Sequence, residues 1–159
     1  MTSSRSARSQ RAASALLPTP GSKEMTSPNK FQIDHLGIAV RSLDTALHFY
    51  EQQLGFPTAD RETVEQEKVN VAMLPAGESR IELLEPTEPN SVIAKFIDKR
   101  GEGLHHVALK VPDLTATVQR LKSQGARLLN DPRPGAGGHL YVFVHPSSTG
   151  GVLLELIQE

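Results

Sequence analysis

"IDHLGIAVRSLDTALHFYEQQLG" (Ile33–Gly55) and "GLHHVALKVPDLTATVQRLKSQG" (Gly103–Gly125) are two versions of one pattern. At a constant offset of 71, His35 falls on His106, Val40 on Val111, Leu43 on Leu114 and Gly55 on Ala126. Each copy opens with an apolar run of strand character and reaches Ser42 or Asp113, residue types that cap helices. Apolar positions then recur at helical spacing: Leu43, Ala46, Leu47, Tyr50 and Leu54 in one copy, Leu114, Thr117, Val118 and Leu121 in the other. Each predicted helix stops near a glycine, Gly55 or Gly125.

Beyond each helix the period changes to that of short strands. They are expected at about 58–64, 69–74 and 79–84 in the first copy, and at about 127–129, 140–145 and 152–157 in the second. Turn-rich "PAGES", "RPGAGG" and "PSSTGG" separate them, and a helix over Ser91–Arg100 links the halves. The expected fold is therefore α+β, two βαβββ modules in tandem at about 31–88 and 103–159, forming one domain.

The rest of the chain sets limits. With 17 basic and 18 acidic residues the net charge is −1, so no general affinity for nucleic acid or an anionic membrane is indicated. There is no cysteine, which leaves only nitrogen and oxygen to hold a metal. No apolar run approaches the roughly 20 residues of a membrane span. Residues 1–30 are rich in Ser, Ala, Pro and Arg and read as a disordered tail of a cytoplasmic protein. The alternative for that segment is a mitochondrial transit peptide, although Leu16 and Leu17 alone give it a thin apolar face.

Strict strand alternation assigns the histidines. Leu36, Ile38 and Val40 form one face of the first strand, and Ile33, His35, Gly37 and Ala39 the other. In its twin, His105, Val107, Leu109 and Val111 share the helix-packed face, leaving His106, Ala108 and Lys110 on the concave side. On this reading His105 is a core or edge histidine. In "RIELLEP" Glu82 opposes packed Ile81 and Leu83, and in "GVLLELIQE" Glu155 opposes packed Val152, Leu154 and Leu156. The duplication thus sends His35, Glu82, His106 and Glu155 to one cavity.

An ionised carboxylate is costly to bury without a partner. Two Glu–His ion pairs in a polar core would meet that need; so would one divalent cation shared by all four residues. Their duplicated positions favour the cation, and two imidazoles with two carboxylates suit Co²⁺, Mn²⁺, Ni²⁺, Zn²⁺ or Fe²⁺ better than Ca²⁺ or Mg²⁺. Other signals are weaker. His145 stands at a strand end, while His48 and His139 are expected to be exposed. "PGAGG" suits either an anion-binding loop or an ordinary turn, and no Gly-x-Ser-x-Gly elbow supports a serine hydrolase.

"DHLGIAVRSLDTALHFY", "SRIELLEPTEPNSVIAKFIDKRGEGLHHVALKV" and "FVHPSSTGGVLLELIQE" resemble the methylmalonyl-CoA epimerases of the vicinal oxygen chelate superfamily, over essentially all of residues 31–159. The resemblance implies a cup-shaped, barrel-like mixed sheet and metal ligands at His35, Glu82, His106 and Glu155. It also implies a divalent ion, Co²⁺ first with Mn²⁺, Ni²⁺ or Zn²⁺ as alternatives, an acyl-CoA substrate and a homodimer. Some members carry a glutamate, proposed as catalytic base, where this chain has Val71. Glu155 is then the nearest acid for proton transfer, with Glu67 in reserve, and Lys95, Lys99, Arg100 and Arg133 are candidates for the CoA phosphates. The same scaffold also serves glyoxalase I-like enzymes, extradiol dioxygenases and metal-free binding or resistance proteins, which remain alternatives.

Overall fold

A computed structural model of the protein describes residues 31–158; the expected tail lies outside the described residues. Eight strands form one sheet in the order β2-β3-β4-β1-β5-β8-β7-β6. They are β1 (Gln32–Ala39), β2 (Asp60–Val64), β3 (Val69–Ala76), β4 (Ser79–Pro86), β5 (Gly103–Lys110), β6 (Arg133–Pro134), β7 (Leu140–Val144) and β8 (Leu154–Gln158). The helices are α1 (Leu43–Leu47), α2 (Val92–Arg100) and α3 (Leu114–Ser123). In each module the first and last strands pair in parallel, β1 with β4 and β5 with β8, and β1 joins β5 antiparallel at the centre. Residues near opposite ends of this order still meet: Tyr141 on β7 donates a 2.7 Å hydrogen bond to Glu67, in the turn between β2 and β3. The sheet therefore curls into a cup.

The predicted caps form. Ser42 and Asp113 accept hydrogen bonds from the amides of Thr45 and Ala116, and Ser91 does the same for α2 through Ala94. On the convex face, α1 packs Leu43 and Leu47 against Ala72, Leu74 and Leu83, while α3 packs Leu114 and Val118 against Val142, Val144 and Leu156. The linking helix α2 instead enters the concave side, where Ile93 and Ile97 cover Ala39, Val71 and Leu84. This leaves the two halves of the cup unlike, although the modules that build them are alike.

Several local expectations fail. The first helix is α-helical only to Leu47 and continues as a π-helix over His48–Gln53, closed by Leu54 N–H donating to Phe49 C=O. Residues 127–129 form no strand: an isolated bridge joins Leu128 to Val144, and the edge strand is instead the two-residue β6. Between Ile33 and His35, and again opposite Gly37–Ile38, the β1–β5 register slips by one residue. These slips are bulges that leave Asp34 and His105 unpaired and break the assumed alternation. Ile33, expected inside, is accordingly 49% exposed, while Asp34 is buried. Finally, Leu36, expected on the packed face, is 36% exposed and belongs to neither of the clusters under α1 and α3.

Candidate metal centre

The four candidate ligands come from the four central strands. His35 lies on β1, Glu82 on β4, His106 on β5 and Glu155 on β8, and all four are buried. Their donor atoms converge. The Nε2 atoms of His35 and His106 are 3.0 Å apart. Glu155 Oε2 lies 3.0 Å from the first and 3.1 Å from the second, and Glu82 Oε2 lies 3.4 Å from both. Two ligand atoms each about 2.1 Å from one ion are about 3.0–3.4 Å apart at octahedral or tetrahedral angles. The observed spacings have that value, so the donor set fits one N/O-ligated divalent cation. His35, His106 and Glu155 form the tightest group, and Glu82 stands slightly outside it.

Behind each histidine stands the bulged residue that precedes it. Asp34 accepts a 2.7 Å hydrogen bond from His35 Nδ1 and is itself clamped by Arg80 and Lys110. Burial disfavours the Asp34 carboxylate, but His35 and Arg80 outweigh it and hold its pKa well below the usual range. An ionised carboxylate cannot donate, so Nδ1 carries the hydrogen and Nε2 is turned to the centre. In the second module His105 Nδ1 lies 2.9 Å from His106 Nδ1. Burial, reinforced by the neighbouring His106, lowers the His105 pKa to about 4, which keeps that ring neutral.

His105 is thus not on the helix-packed convex face. The bulge turns it inward, where it lines the cavity and meets Phe96 of α2 edge to face at 5.0 Å. Gly37 also has a more specific use than leaving space for a ligand. A Cβ there would sit 2.1 Å from Cε1 of His106, so the imidazole itself occupies the space.

Without a cation the cluster holds a proton. Burial opposes charge on His35, but Asp34, Glu155 and Glu82 together raise its pKa to about 11. Burial likewise penalises the Glu155 carboxylate, yet His106 and His35 bring its pKa down to about 2.

Above the cluster opens a cavity of about 620 Å³. Val69, Val71, Leu84 and Phe143 supply apolar wall, and Glu67, Arg133 and Tyr141 a polar one. Of the four basic residues considered for phosphates, the cavity includes Arg133; Lys95, Lys99 and Arg100 are exposed on α2 outside it. His139 belongs to the cavity lining, contrary to expectation, whereas His48 is exposed and His145 caps the turn at Ser147. Nothing in the composition around Tyr141 marks it as a site residue. The signal for it was its place in "LYVF", at the same register as Val71 in "VNVAM".

Residues 34–143 match the Glyoxalase/Bleomycin resistance protein/Dioxygenase superfamily. The ethylmalonyl-CoA/methylmalonyl-CoA epimerase of Cereibacter sphaeroides is 35% identical over 130 residues, covering 80% of this chain and 97% of its own. The structure of methylmalonyl-CoA epimerase from Mycobacterium tuberculosis superposes with a TM-score of 0.74 at 41% identity, over 79% of this chain and 86% of that one. For the Streptomyces coelicolor methylmalonyl-CoA epimerase in complex with 2-nitronate-propionyl-CoA the values are 0.77 and 38%, over 80% and 94%. The chain belongs to the glyoxalase/bleomycin resistance/dioxygenase superfamily, and within it to the family of the methylmalonyl-CoA epimerases.

Proposed function

We propose that this chain is a metal-dependent isomerase that interconverts (2R)- and (2S)-methylmalonyl-CoA by removing the C2 proton and returning it on the other face. One observation carries the reading: two imidazole nitrogens and a Glu155 oxygen lie within 3.0–3.1 Å of one another, with a Glu82 oxygen 3.4 Å from each nitrogen, at the floor of a mostly apolar cavity. The relatives named above, which act on or bind acyl-CoA esters of this type, support it.

A divalent cation held by His35, Glu82, His106 and Glu155 supplies, when bound, Lewis acidity that steadies the negative charge left on the thioester by loss of the C2 proton. Co²⁺ is the ion we expect, with Mn²⁺, Ni²⁺ and Zn²⁺ satisfied by the same donors. Asp34 and His105 hold the two imidazoles in the required orientation. Glu155 is ionised at neutral pH and serves as general base and acid at C2. Val71 and Leu84 exclude water from one wall, and Arg133 places a positive charge where an acyl-CoA can meet it. The expected assembly is a homodimer.

Proton NMR of methylmalonyl-CoA in deuterated water, with the protein loaded with Co²⁺, tests the activity. Loss of the C2 proton signal with conversion of one epimer into the other is expected. Absence of both, with each of the four ions, would remove the proposal.

A further inference from the structure

The two modules place different residues at one equivalent spot beside the candidate ligands. On β3, Met73 pairs with Glu82 and Val71 with Leu84; on β7, Phe143 pairs with Glu155 and Tyr141 with Ile157. Val71 and Tyr141 therefore stand at the same register, two residues along from the partner of a candidate ligand. Val71 is 1% exposed and packed under Ile93 and Ile97 of α2. Tyr141 is 4% exposed and lines the same cavity as Val71, one aromatic ring removed from His106: Phe143 touches His106 at 5.4 Å and Tyr141 at 5.5 Å.

The Tyr141 hydroxyl is fixed at both ends. It donates to Glu67 Oε1 at 2.7 Å and accepts from Arg133 Nε at 2.7 Å. Arg133 Nη2 reaches the same Glu67 oxygen at 3.1 Å. Glu67 belongs to the first module and the other two to the second, so the group spans the cavity. Burial, seconded by Glu67 and opposed by Arg133, raises the Tyr141 pKa well above its ordinary value and keeps the hydroxyl protonated. A structural tie between modules would need only the direct Arg133–Glu67 ion pair; the phenol that bonds both of its members and lines the cavity is additional to it.

We propose that Tyr141 is a second proton-transfer residue of the cavity, relaying a proton between the substrate carbon and Glu67 while Glu155 serves the other face of that carbon. The proposal rests on the epimerase reading above. In the forward step the C2–H bond breaks and its proton goes to the Tyr141 oxygen, while the phenolic proton passes to the Glu67 carboxylate. The electron pair of the C–H bond stays on the substrate, delocalised onto the thioester oxygen. Tyrosine ends as it began, Glu67 ends as a neutral acid, and the reverse step restores both. No oxidant or further reactant is needed. The phenol and Glu155 line the same cavity, the phenol one aromatic ring from His106, so both border the space that a substrate held at the candidate ligands would fill.

The experiment follows each epimer separately in deuterated water, using Co²⁺-loaded wild type, Tyr141→Phe and Glu67→Gln. Removing a general acid–base group costs about 10²-fold or more. Both variants should keep full metal content and lose epimerisation by that factor. From the epimer whose proton Glu155 removes, they should still exchange C2 hydrogen for deuterium with retention, near the wild-type rate. From the other epimer they should exchange slowly. Glu67→Gln carries the test if Tyr141→Phe does not fold. Wild-type epimerisation in either folded variant, or an equal loss of exchange from both epimers, would overturn the relay. Absence of exchange in the wild type would instead remove the epimerase reading, and the relay with it.

Discussion

Asp34 and His105, 71 residues apart, occupy the same place in the two modules. Each is the unpaired residue of a β-bulge, and each hydrogen bonds Nδ1 of the histidine that follows it, at 2.7 and 2.9 Å. The duplication has therefore preserved a backbone irregularity as well as a pair of candidate ligands. The two bulges differ in chemistry: one presents an ionised carboxylate, the other a neutral imidazole.

Both supporting residues should therefore matter to metal binding. Loss of such a partner costs about 10–100-fold in metal affinity. Asp34→Asn and His105→Ala should each weaken Co²⁺ binding on that scale by calorimetry, Asp34→Asn more, because it removes a charge. His35→Ala and His106→Ala should abolish tight binding, with the circular dichroism of the fold retained. Tight, full-equivalent binding by His106→Ala would contradict the face assigned to that residue.

Gly37→Ala tests the close approach of strand and ring. The added methyl would collide with His106 Cε1, so the ring must leave its position. Overpacking of this kind costs about 1–3 kcal/mol. The variant should melt lower and lose metal affinity together, whereas unchanged metal affinity would place the ring elsewhere.

The buried cluster predicts a pH dependence in the metal-free protein. His35 has a folded pKa of about 11 against an ordinary 6.5, so its contribution to stability is full below about pH 6.5 and is lost as pH rises toward 11. Glu155, at about 2 against 4.5, contributes above about pH 4.5 and loses that contribution as pH falls toward 2. Thermal melts of metal-free protein should therefore peak between about pH 4.5 and 6.5. Binding a cation must expel the His35 proton, so calorimetry at pH 7.5 in buffers of different ionisation enthalpy should register about one proton released. Zero release would place the proton elsewhere.

Much of the fold was legible because duplication repeats every signal. The caps at Ser42 and Asp113, the helical spacing after them and the alternation around Glu82 and Glu155 each appear twice. Simple alternation cannot anticipate a bulge, because the extra residue carries no compositional mark. Alternation alone therefore puts His105 on the wrong face and gives Asp34 no role. The two-residue β6 is too short for any period, and the π-turn over His48–Gln53 keeps an ordinary helical pattern. Tyr141 is an apolar-looking member of a strand until the curl of the sheet brings Glu67 to it.

Among the described residues, every candidate ligand and cavity-lining residue lies between His35 and Ile157. Deleting residues 1–27 should therefore leave turnover and metal affinity unchanged. A large fall in turnover would mean that the deleted segment covers the site or joins an interface.

The two carboxylates should separate in function. Glu82→Gln retains an oxygen donor and should retain metal and much of the rate. Glu155→Gln also retains an oxygen donor but cannot accept a proton, and should lose about 10²-fold or more in C2 exchange while still binding metal. Exchange at the wild-type rate by metal-loaded Glu155→Gln would make Glu155 a ligand only.

The most direct test of the central claim is a titration of metal-stripped protein with Co²⁺, following C2 proton exchange of methylmalonyl-CoA in deuterated water. The account predicts negligible exchange without metal, activity that rises linearly to a break at one ion per chain, and no recovery in His106→Ala. Equal exchange by stripped and reconstituted protein, or full recovery in His106→Ala, would contradict it.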